Sequence, residues 1–393
     1  MPISINPVSF GLTSSSAMLK PQWCLDRAKR MRHLIVPSAD TQYWLDTIKS
    51  NGWIESGLGI LSLDDDMKAI PLNKTAPEEI DSIWQNLPLI ELPREDKSAK
   101  HWTDLLDQEL YDSLEDYWPR AYEIIGDVLI VKLEEEVYSH RKAIAEAMLE
   151  QIPNVRIICA DNGVEGEFRV RSLSPILSRD GSNETLTTIR ENGQQILIDP
   201  TKSYFSSRLS NERQGNLAAA KQLSSTVGRK ITVCDPYAGV GPSMACLLNN
   251  HELIDSVLVG DLNPQAVGLL TQNIENYLAR VDSRINATIL CQDARIWKDD
   301  SKFMGAVDFL LVNLPHETLN HLSDLLPLMR KGTPSLIRGW AIIDRGVESS
   351  VQEELEALLL SKGATNLELT CQEIKGFSAT KIFVRIESWQ TFV

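Results

Sequence analysis

The segment "ITVCDPYAGVGPSMACLL", Ile231–Leu248, decides the fold class. It reads as an apolar strand, then Asp235, a turn containing Gly239 and Gly241, and an apolar stretch typical of a helix. Glycines at such a turn let the backbone approach a ligand closely at the switch point of a parallel sheet. The dinucleotide-binding motif has a third glycine three residues after the second, and Met244 occupies that position. The segment therefore predicts a site for a nucleoside without a pyrophosphate, such as S-adenosylmethionine.

The chain after this segment alternates between strand-like and helix-like patterns. Apolar strand patterns occur at "SVLVGD", "ATILCQD", "VDFLLVNLP" and "SLIRGWAIID", and helical patterns such as "PQAVGLLTQNIENYLARV" separate them. This alternation is typical of a mostly parallel sheet. The last two strands, "NLELTCQEI" and "ATKIFVRIES", are joined by a turn too short for a crossover, so they must be antiparallel. We therefore predict an α/β fold of the class I methyltransferase (Rossmann-like) type for residues 201–393.

Polar residues end the successive predicted strands. Asp261 lies 20 residues after Gly241, where a carboxylate can accept hydrogen bonds from both ribose hydroxyls. Asp293 ends the next strand, where it can accept from an adenine amino group. Asn313 follows the fourth strand, and Pro315 stiffens its loop. Each aspartate taken alone is also compatible with a turn cap, but together with Asp235 they predict one cofactor site.

Four smaller segments precede the predicted catalytic domain. We expect a flexible start over residues 1–27, a small N-terminal domain over 28–75, an acidic linker over 76–115 and a middle α/β domain over 116–200. In these segments Ser38 is a candidate helix N-cap, and "EIIGDVLIVKL" reads as one strand.

Charge is unevenly distributed along the 393 residues, whose formal net charge is −15. Residues 64–136 hold 20 acidic and 7 basic side chains, a net of −13, whereas residues 169–230 hold 10 basic and 5 acidic, a net of +5. Because the local field decides what a cleft attracts, the overall charge does not exclude a nucleic-acid partner.

Other bulk features exclude some classes of protein. No apolar run approaches the roughly 20 residues that span a bilayer, so we expect no membrane association. The N-terminus lacks a secretory pattern, and the six cysteines show no C-x-x-C spacing. These features predict a cytoplasmic protein with free thiols and no metal site.

Seven segments carry a resemblance to a known family. They are "WPRAYEIIGDVLIVKL", "GVEGEFRVRSL", "TIRENG", "DPTKSYFSSRLSNER", "DPYAGVGP", "GDLNP" and "NLP", which together cover roughly residues 118–315. In this order they resemble the tRNA (guanine-37-N1)-methyltransferases of archaea and eukaryotes. The resemblance implies methyl transfer from S-adenosylmethionine to N1 of guanosine 37, with tRNA as partner and without a metal. It also suggests that the small N-terminal domain docks on the outer corner of tRNA, and we expect a monomer.

The resemblance assigns the chemistry to two positions. Glu212, in "SNER", would be the general base that takes the N1 proton. Arg169, in "GEFRVR", would face O6 of the base, with Arg171 as the less favoured candidate. A longer turn at "LSRDGSNE" than is usual in the family leaves the choice between these arginines open. "SNER" alone would also fit a plain helix start with Ser210 as N-cap.

The remaining roles concern binding. Tyr204 and Arg208 would line the cofactor pocket. Arg213 would help to order the general base, Glu212, and would contact RNA. Asn313, with Pro315, would hold the target base and the methionine end of the cofactor. The net charge of −13 over residues 64–136 is more negative than is expected of a tRNA-binding protein.

Three alternatives stay open. The wybutosine-pathway transferase of the same superfamily uses the same cofactor but transfers its aminocarboxypropyl group. A non-catalytic RNA-binding relative would keep the fold without turnover. A small-molecule methyltransferase is the third alternative, but it would need neither the positively charged residues 169–230 nor the extra domains.

Overall fold

A computed structural model of the chain describes residues 30–55, 58–63, 66–77, 82–85, 87–93, 101–168, 170–281 and 284–393. The chain divides into two compact units, residues 1–105 and 106–393. Within the described ranges, no helix combines the length and apolar character that crossing a membrane requires.

The first unit contains a four-stranded antiparallel sheet and a helix. Its elements are β1 (Arg30–Pro37), α1 (Thr41–Ser50), β2 (Leu61–Leu63), β3 (Met67–Pro71) and β4 (Leu89–Pro93), with the strand order β2-β3-β1-β4. Trp44 and Ile48 of α1 pack with Trp84 and the apolar face of β1. The predicted cap at Ser38 is wrong, because Ser38 begins a short 3-10 helix and Asp40 occupies the N-cap position of α1.

The second unit begins with a mixed sheet followed by a hairpin. Its first elements are α2 (Gln108–Ser113), β5 (Tyr122–Ile125), β6 (Val128–Val131), α3 (Glu135–Tyr138), α4 (Arg141–Gln151), β7 (Ile157–Glu165), β8 (Val170–Ser178), β9 (Thr187–Glu191) and β10 (Gln194–Ile198). Strands β5 to β8 form a sheet in chain order, and β9 pairs with β10. The prediction of one strand at "EIIGDVLIVKL" is wrong. Gly126 turns the chain there with a φ of 60°, which separates β5 from β6.

The second unit continues with a seven-stranded sheet. Its elements are α5 (Ser210–Val227), β11 (Ile231–Asp235), α6 (Pro242–Leu248), β12 (Ile254–Gly260), α7 (Pro264–Leu278), β13 (Asn286–Leu290), β14 (Phe309–Val312), α8 (Thr318–Leu325), β15 (Pro334–Asp344), α9 (Glu348–Ser361), β16 (Ala364–Gly376) and β17 (Lys381–Phe392). The strand order is β13-β12-β11-β14-β15-β17-β16. Strand β17 is antiparallel to both of its neighbours, whereas β11 to β15 pair in parallel. The predicted class I methyltransferase sheet and its antiparallel strand are confirmed.

One hydrophobic cluster joins the two halves of the second unit. It includes Val128 and Ile157 of the mixed sheet, Ile198 of β10, and Val233 and Val259 of the seven-stranded sheet. Burying these side chains together favours folding of residues 106–393 as one body. The expected domain boundary near residue 200 stays a prediction.

Asp308 is a buried carboxylate immediately before β14. It accepts hydrogen bonds from Arg229 Nη2 at 2.7 Å, Arg330 Nε at 2.8 Å and the Thr232 backbone N–H at 2.9 Å. Burial alone would raise the pKa of Asp308, but these hydrogen bonds and the charge of Arg330 lower it below its usual value. The carboxylate thus fixes the amino end of β14 beside β11.

Candidate active site

Strands β11 and β14 open at their carboxyl ends into a narrow cleft, which we call the strand-end cleft. It is lined by Leu209, Glu212, Arg213, Asp235, Ala238, Pro242, Ser243, Asn313 and Trp340. Four predicted site residues, Glu212, Arg213, Asp235 and Asn313, therefore come together although they come from three separate parts of the chain. Parallel strands bring their carboxyl ends to one edge, which explains why Asp235 and Asn313 meet.

Asp235 is the most unusual acid in the cleft. It is buried, and its Oδ1 atom has no hydrogen-bond partner. Burial raises the pKa of Asp235 to about 7, and the nearby charge of Asp261 adds to this effect, while a hydrogen bond from the Tyr237 backbone opposes it. An unpartnered buried carboxylate is costly unless a cationic or donating group from a ligand pairs with it.

The glycine turn and Asp261 form the next part of the site. Gly239 adopts a φ of 57°, and its N–H donates to Asp261 Oδ2 at 3.0 Å. The Asn263 N–H donates to Asp261 Oδ1 at 2.9 Å. Burial raises the pKa of Asp261, and these backbone hydrogen bonds counteract the rise. Each carboxylate oxygen retains a lone pair, so Asp261 can still accept from a ligand.

Gly241 is the N-cap residue of α6 and has a conformation that only glycine adopts easily. Its φ is 80°, and a Cβ atom at this position would lie 2.6 Å from Leu270 Cδ1. By contrast, a Cβ at Gly239 would meet nothing closer than Ser203 Oγ at 3.6 Å. The backbone at Gly239 is therefore open, and that at Gly241 is close-packed against α7.

Asp293 and Pro315 are engaged within the protein. Asp293 caps a 3-10 helix, and its Oδ2 accepts from Arg295 Nη2 at 2.6 Å, which lowers the pKa of Asp293. The carbonyl of Pro315 accepts from the Ile342 N–H at 2.8 Å, which ties the loop after β14 to β15. Neither residue is part of the strand-end cleft.

Glu212 is held by two neighbouring strands. In the register of β15 and β17, Trp340 lies opposite Arg385, and both side chains reach the first turn of α5. Glu212 Oε2 accepts from Trp340 Nε1 at 3.0 Å and from Arg385 Nη1 at 3.3 Å. Arg338 Nη2 lies 3.8 Å from the same oxygen, Glu212 Oε2. These donors fix the orientation of the carboxylate.

Arg338 links Glu212 to a second carboxylate. The register places Arg338 opposite Glu387, and Arg338 Nε lies 3.0 Å from Glu387 Oε2. Asn216, one helical turn after Glu212, accepts from Arg338 Nη1 at 2.8 Å. Burial lowers the pKa of Arg338, and the charge of Glu387 opposes this. Two guanidiniums, Arg338 and Arg385, thus face two carboxylates.

Two predicted RNA-binding arginines are paired inside the protein. Arg213 is buried, its Nε forms a short hydrogen bond with Glu191, and its Nη2 donates to Glu191 Oε2 at 2.5 Å. Arg171 pairs with Glu123 and lies 3.8 Å from Asp161. Both guanidiniums therefore order local structure, and their contacts with RNA stay a prediction.

The remaining predicted residues lie beside the glycine turn or outside the described residues. Tyr204 is 62% exposed, and its carbonyl oxygen would lie 3.9 Å from a Cβ atom at Gly239. Arg208, in the 3-10 helix Ser207–Leu209, is exposed. Arg169 lies outside the described residues, so its predicted role stays a prediction.

A wider groove of about 620 Å³ lies elsewhere on the second unit. It is lined by Gly126, Asp127 and Leu186–Arg190. Its single carboxylate, Asp127, already pairs with Arg156 at 2.9 Å. The groove contains none of the strand-end acids, so the chemistry is concentrated in the smaller strand-end cleft. In the part of the chain that the structure describes, no group of His, Cys, Asp and Glu side chains could hold a metal ion.

Four residues of the Glu212 network were not predicted from the sequence: Arg338, Trp340, Arg385 and Glu387. One signal was present, because "SLIRGWAIID" places a charged residue inside an apolar strand. A charged side chain in such a strand is buried only when it is paired.

Comparisons with known proteins agree with this architecture. Residues 102–181 match the TYW2 N-terminal domain, and residues 187–342 match the TRM5/TYW2 methyltransferase domain. The tRNA (guanine(37)-N(1))-methyltransferase Trm5b of Pyrococcus abyssi is 32% identical over 209 residues, which are 52% of this chain and 56% of the relative. Its Methanocaldococcus jannaschii counterpart is 37% identical over 157 residues, which are 39% of this chain and 42% of the relative. The chain thus spans about half the length of the curated relatives it matches.

Solved structures share the fold. The crystal structure of wild-type Trm5b from Pyrococcus abyssi matches with a TM-score of 0.62 and 22% identity, covering 92% of this chain and 100% of the other. The complex structure of aTrm5 and tRNALeu matches with a TM-score of 0.63 and 21% identity, covering 91% and 99%. Residues 187–342 are therefore similar to the TRM5/TYW2 methyltransferase domain, and the chain shares the fold of the solved Trm5 structures.

Proposed function

We propose that this chain transfers a methyl group from S-adenosylmethionine to N1 of guanosine 37 in tRNA. The observation that carries the proposal is the convergence of Glu212, Asp235 and Asn313 in one cleft within a TRM5/TYW2 methyltransferase domain. The relatives named tRNA (guanine(37)-N(1))-methyltransferase support the choice of reaction.

The residues of the cleft fit S-adenosylmethionine. The unpartnered Oδ1 of buried Asp235 suits the cationic methionine end, and the open backbone at Gly239 leaves room for a ligand. Outside the cleft lining, Asp261 would accept from the ribose hydroxyls, and Asp293, which already accepts from Arg295, would use a remaining lone pair for the adenine amino group. Tyr204 would cover the cofactor from the exposed side of the glycine turn.

The target atom needs a base before it can react. N1 of guanosine carries a proton at neutral pH, so it is a poor nucleophile until that proton is removed. Bound S-adenosylmethionine supplies the electrophilic methyl group. Glu212 would accept the N1 proton, since it lines the strand-end cleft and Trp340 and Arg385 fix its orientation there. Asn313 would hold the Watson–Crick edge of the base.

The charge that develops on O6 would be stabilised by a guanidinium. Arg169 is the candidate that the family resemblance favours for this role. Arg171 is already paired with Glu123, which makes it the weaker candidate. A fixed donor at a developing oxyanion typically contributes about 100- to 1000-fold in rate.

A tRNA loop is the substrate that this arrangement favours. N1 lies on the Watson–Crick edge, so the target base must be unpaired and splayed out. Residues 169–230, with a net charge of +5, include the exposed side chains of Arg190 and Arg208. These cations would attract the phosphate backbone, and tRNA binding should weaken as salt increases.

A labelling experiment tests the proposal. The chain is incubated with methyl-labelled S-adenosylmethionine and tRNA transcripts that carry guanosine or adenosine at position 37, and the nucleosides are analysed by mass spectrometry. We expect N1-methylguanosine only from the guanosine transcript. No transfer, or efficient methylation of the adenosine transcript, would contradict the proposal. We also expect Asp261→Ala to weaken cofactor binding, measured by calorimetry.

The match of residues 102–181 to the TYW2 N-terminal domain favours a second candidate, transfer of the aminocarboxypropyl group of the same cofactor. A cofactor labelled in its amino-acid carbons distinguishes the two reactions. Label in the tRNA from that cofactor, and none from the methyl-labelled form, would support this second candidate.

A further inference from the structure

The hairpin between β16 and β17 ends at the same edge of the sheet as the strand-end cleft. We call residues 376–381 the hairpin tip. In the antiparallel register Asp344, the last residue of β15, lies opposite Lys381, and the Arg345 N–H donates to the Thr380 carbonyl at 2.8 Å. Because β14 and β15 are parallel, the loop after β14 that carries Asn313 reaches this same edge.

The hairpin tip contacts that loop through two rings. The ring centroids of His316 and Phe377 are 6.0 Å apart, and the planes are nearly perpendicular at 81°. Phe377 is nevertheless 52% exposed. His316 lies three residues after Asn313, so an exposed aromatic ring stands close to the position proposed for the target base.

The tip holds Phe377 in a defined backbone geometry. The Phe377 and Ser378 N–H groups both donate to the Lys381 carbonyl, at 2.9 Å and 3.0 Å, and the Lys381 N–H donates to Ser378 Oγ at 3.1 Å. An apolar ring presented on a fixed turn loses little conformational freedom when it binds a partner. This geometry suits a recognition element.

The charges around the ring favour a polyanion. Three cations, Arg345, Lys375 and Lys381, lie on or beside the tip, against the two carboxylates of Asp344 and Glu373. Arg345 and Glu373 form a half-exposed pair at 3.7 Å. An exposed aromatic ring with nearby cations is the arrangement with which proteins bind unpaired nucleotides.

From these contacts we infer that Phe377 stacks on an unpaired nucleobase adjacent to the target guanosine. The inference rests on the proposed function for the identity of the RNA. We expect a base and not an apolar peptide on Phe377. The ring is a single exposed aromatic side chain with cations beside it, and it contacts His316 of the loop that carries Asn313. Stacking of this neighbour would keep the loop splayed, which the exposure of N1 requires.

The test measures RNA binding without the cofactor. A fluorescent anticodon stem-loop is titrated with the wild-type chain, Phe377→Ala and Phe377→Tyr, and binding is followed by anisotropy. The matched control is Leu360→Ala, since Leu360 is also 52% exposed but lies near the end of α9, beside the start of β16 and at the far end of the hairpin. Thermal unfolding of each variant verifies that it is folded.

We expect Phe377→Ala to raise the Kd about 5- to 150-fold, which corresponds to the usual contribution of one stacked base. Phe377→Tyr should restore binding, and Leu360→Ala should bind like the wild type. In a second measurement, 2-aminopurine replaces the base on either side of position 37. Its fluorescence should be quenched by the wild-type chain at one of these positions, and not by Phe377→Ala.

The outcomes separate this inference from the proposed function. One outcome would overturn the stacking role alone: the wild-type chain transfers the methyl group, and Phe377→Ala binds the RNA and quenches 2-aminopurine as the wild-type chain does. Binding that depends on Phe377 without methyl transfer would overturn the proposed reaction alone. Absence of quenching with the wild-type chain would overturn the stacking role whatever the reaction.

Discussion

The Glu212→Gln variant tests the assignment of the base, and Glu387→Gln is its matched control. Both carboxylates face the guanidiniums of Arg338 and Arg385, but only Glu212 lines the strand-end cleft. The glutamine oxygen can still accept from Trp340 Nε1, so the shape of the site should survive. The two substitutions therefore remove the same kind of charge at two places in one network.

The expected magnitudes differ between activity and stability. General-base catalysis contributes about 100- to 10,000-fold, so Glu212→Gln should slow methyl transfer by that factor, while Glu387→Gln should stay within about 10-fold of the wild type. Each variant loses hydrogen bonds to a charged group, which should lower the free energy of unfolding by about 1.5–3 kcal/mol. The two variants should therefore match in stability and diverge in rate.

The assay is single-turnover methyl transfer with enzyme in excess over tRNA, combined with calorimetric titration of the cofactor and urea unfolding. Cofactor affinity should stay unchanged in both variants. Near wild-type turnover in Glu212→Gln would refute the assignment of the base. An equal loss of rate in Glu387→Gln would show that the network acts as a whole and that Glu212 has no separate role.

Three further predictions concern the scaffold and the apo site. Asp308→Ala should lower the free energy of unfolding by about 3 kcal/mol at neutral pH, because two arginines lose their buried partner. Since the pKa of Asp308 is lowered in the folded state, this difference should begin to shrink below about pH 4 and keep shrinking as pH falls through the folded pKa; a constant difference in urea unfolding would contradict it. Gly241→Ala should destabilise the fold by about 1–3 kcal/mol, because Gly241 has a positive φ and its Cβ would clash with Leu270. The control Gly268→Ala, in α7 with open space around it, should stabilise the fold by about 0.5–1 kcal/mol. Equal unfolding midpoints of the two variants would refute this. The folded pKa of Asp235, raised to about 7, implies that apo stability falls as pH rises from about 4 to about 7. Asp235→Asn should reduce this slope and leave the part that the raised pKa of Asp261 contributes; an unchanged slope would contradict the role of Asp235.

Local patterns were sufficient to predict where the glycine turn and its neighbouring acids lie, whereas their roles in cofactor binding stay a prediction. Strand β11, the turn at Gly239 and the acid at Asp261 follow one another within a short segment, so each could be placed from its neighbours. The parallel topology then determined that Asp235 and Asn313 would meet. The antiparallel pairing of β16 and β17 also followed from a short turn.

Long-range partners could not be predicted in the same way. Arg385 is 173 residues from Glu212, and their contact depends on the register of β17 against β15. A register is set by packing across the whole sheet, which a local pattern does not contain. For the same reason the pairing of Arg213 with Glu191 was not foreseen, although both residues lie in segments that the family resemblance covers.

Strand β17 follows β16 in the chain but lies between β15 and β16 in the sheet, and this order has a consequence for synthesis. A nascent chain that has emerged only as far as β16 lacks the strand that must insert between β15 and β16, so its sheet has an open gap. It also lacks Arg385, which leaves the Glu212 carboxylate without one of its donors. Glu212 would thus gain its Arg385 donor only when Lys381–Phe392 closes the gap.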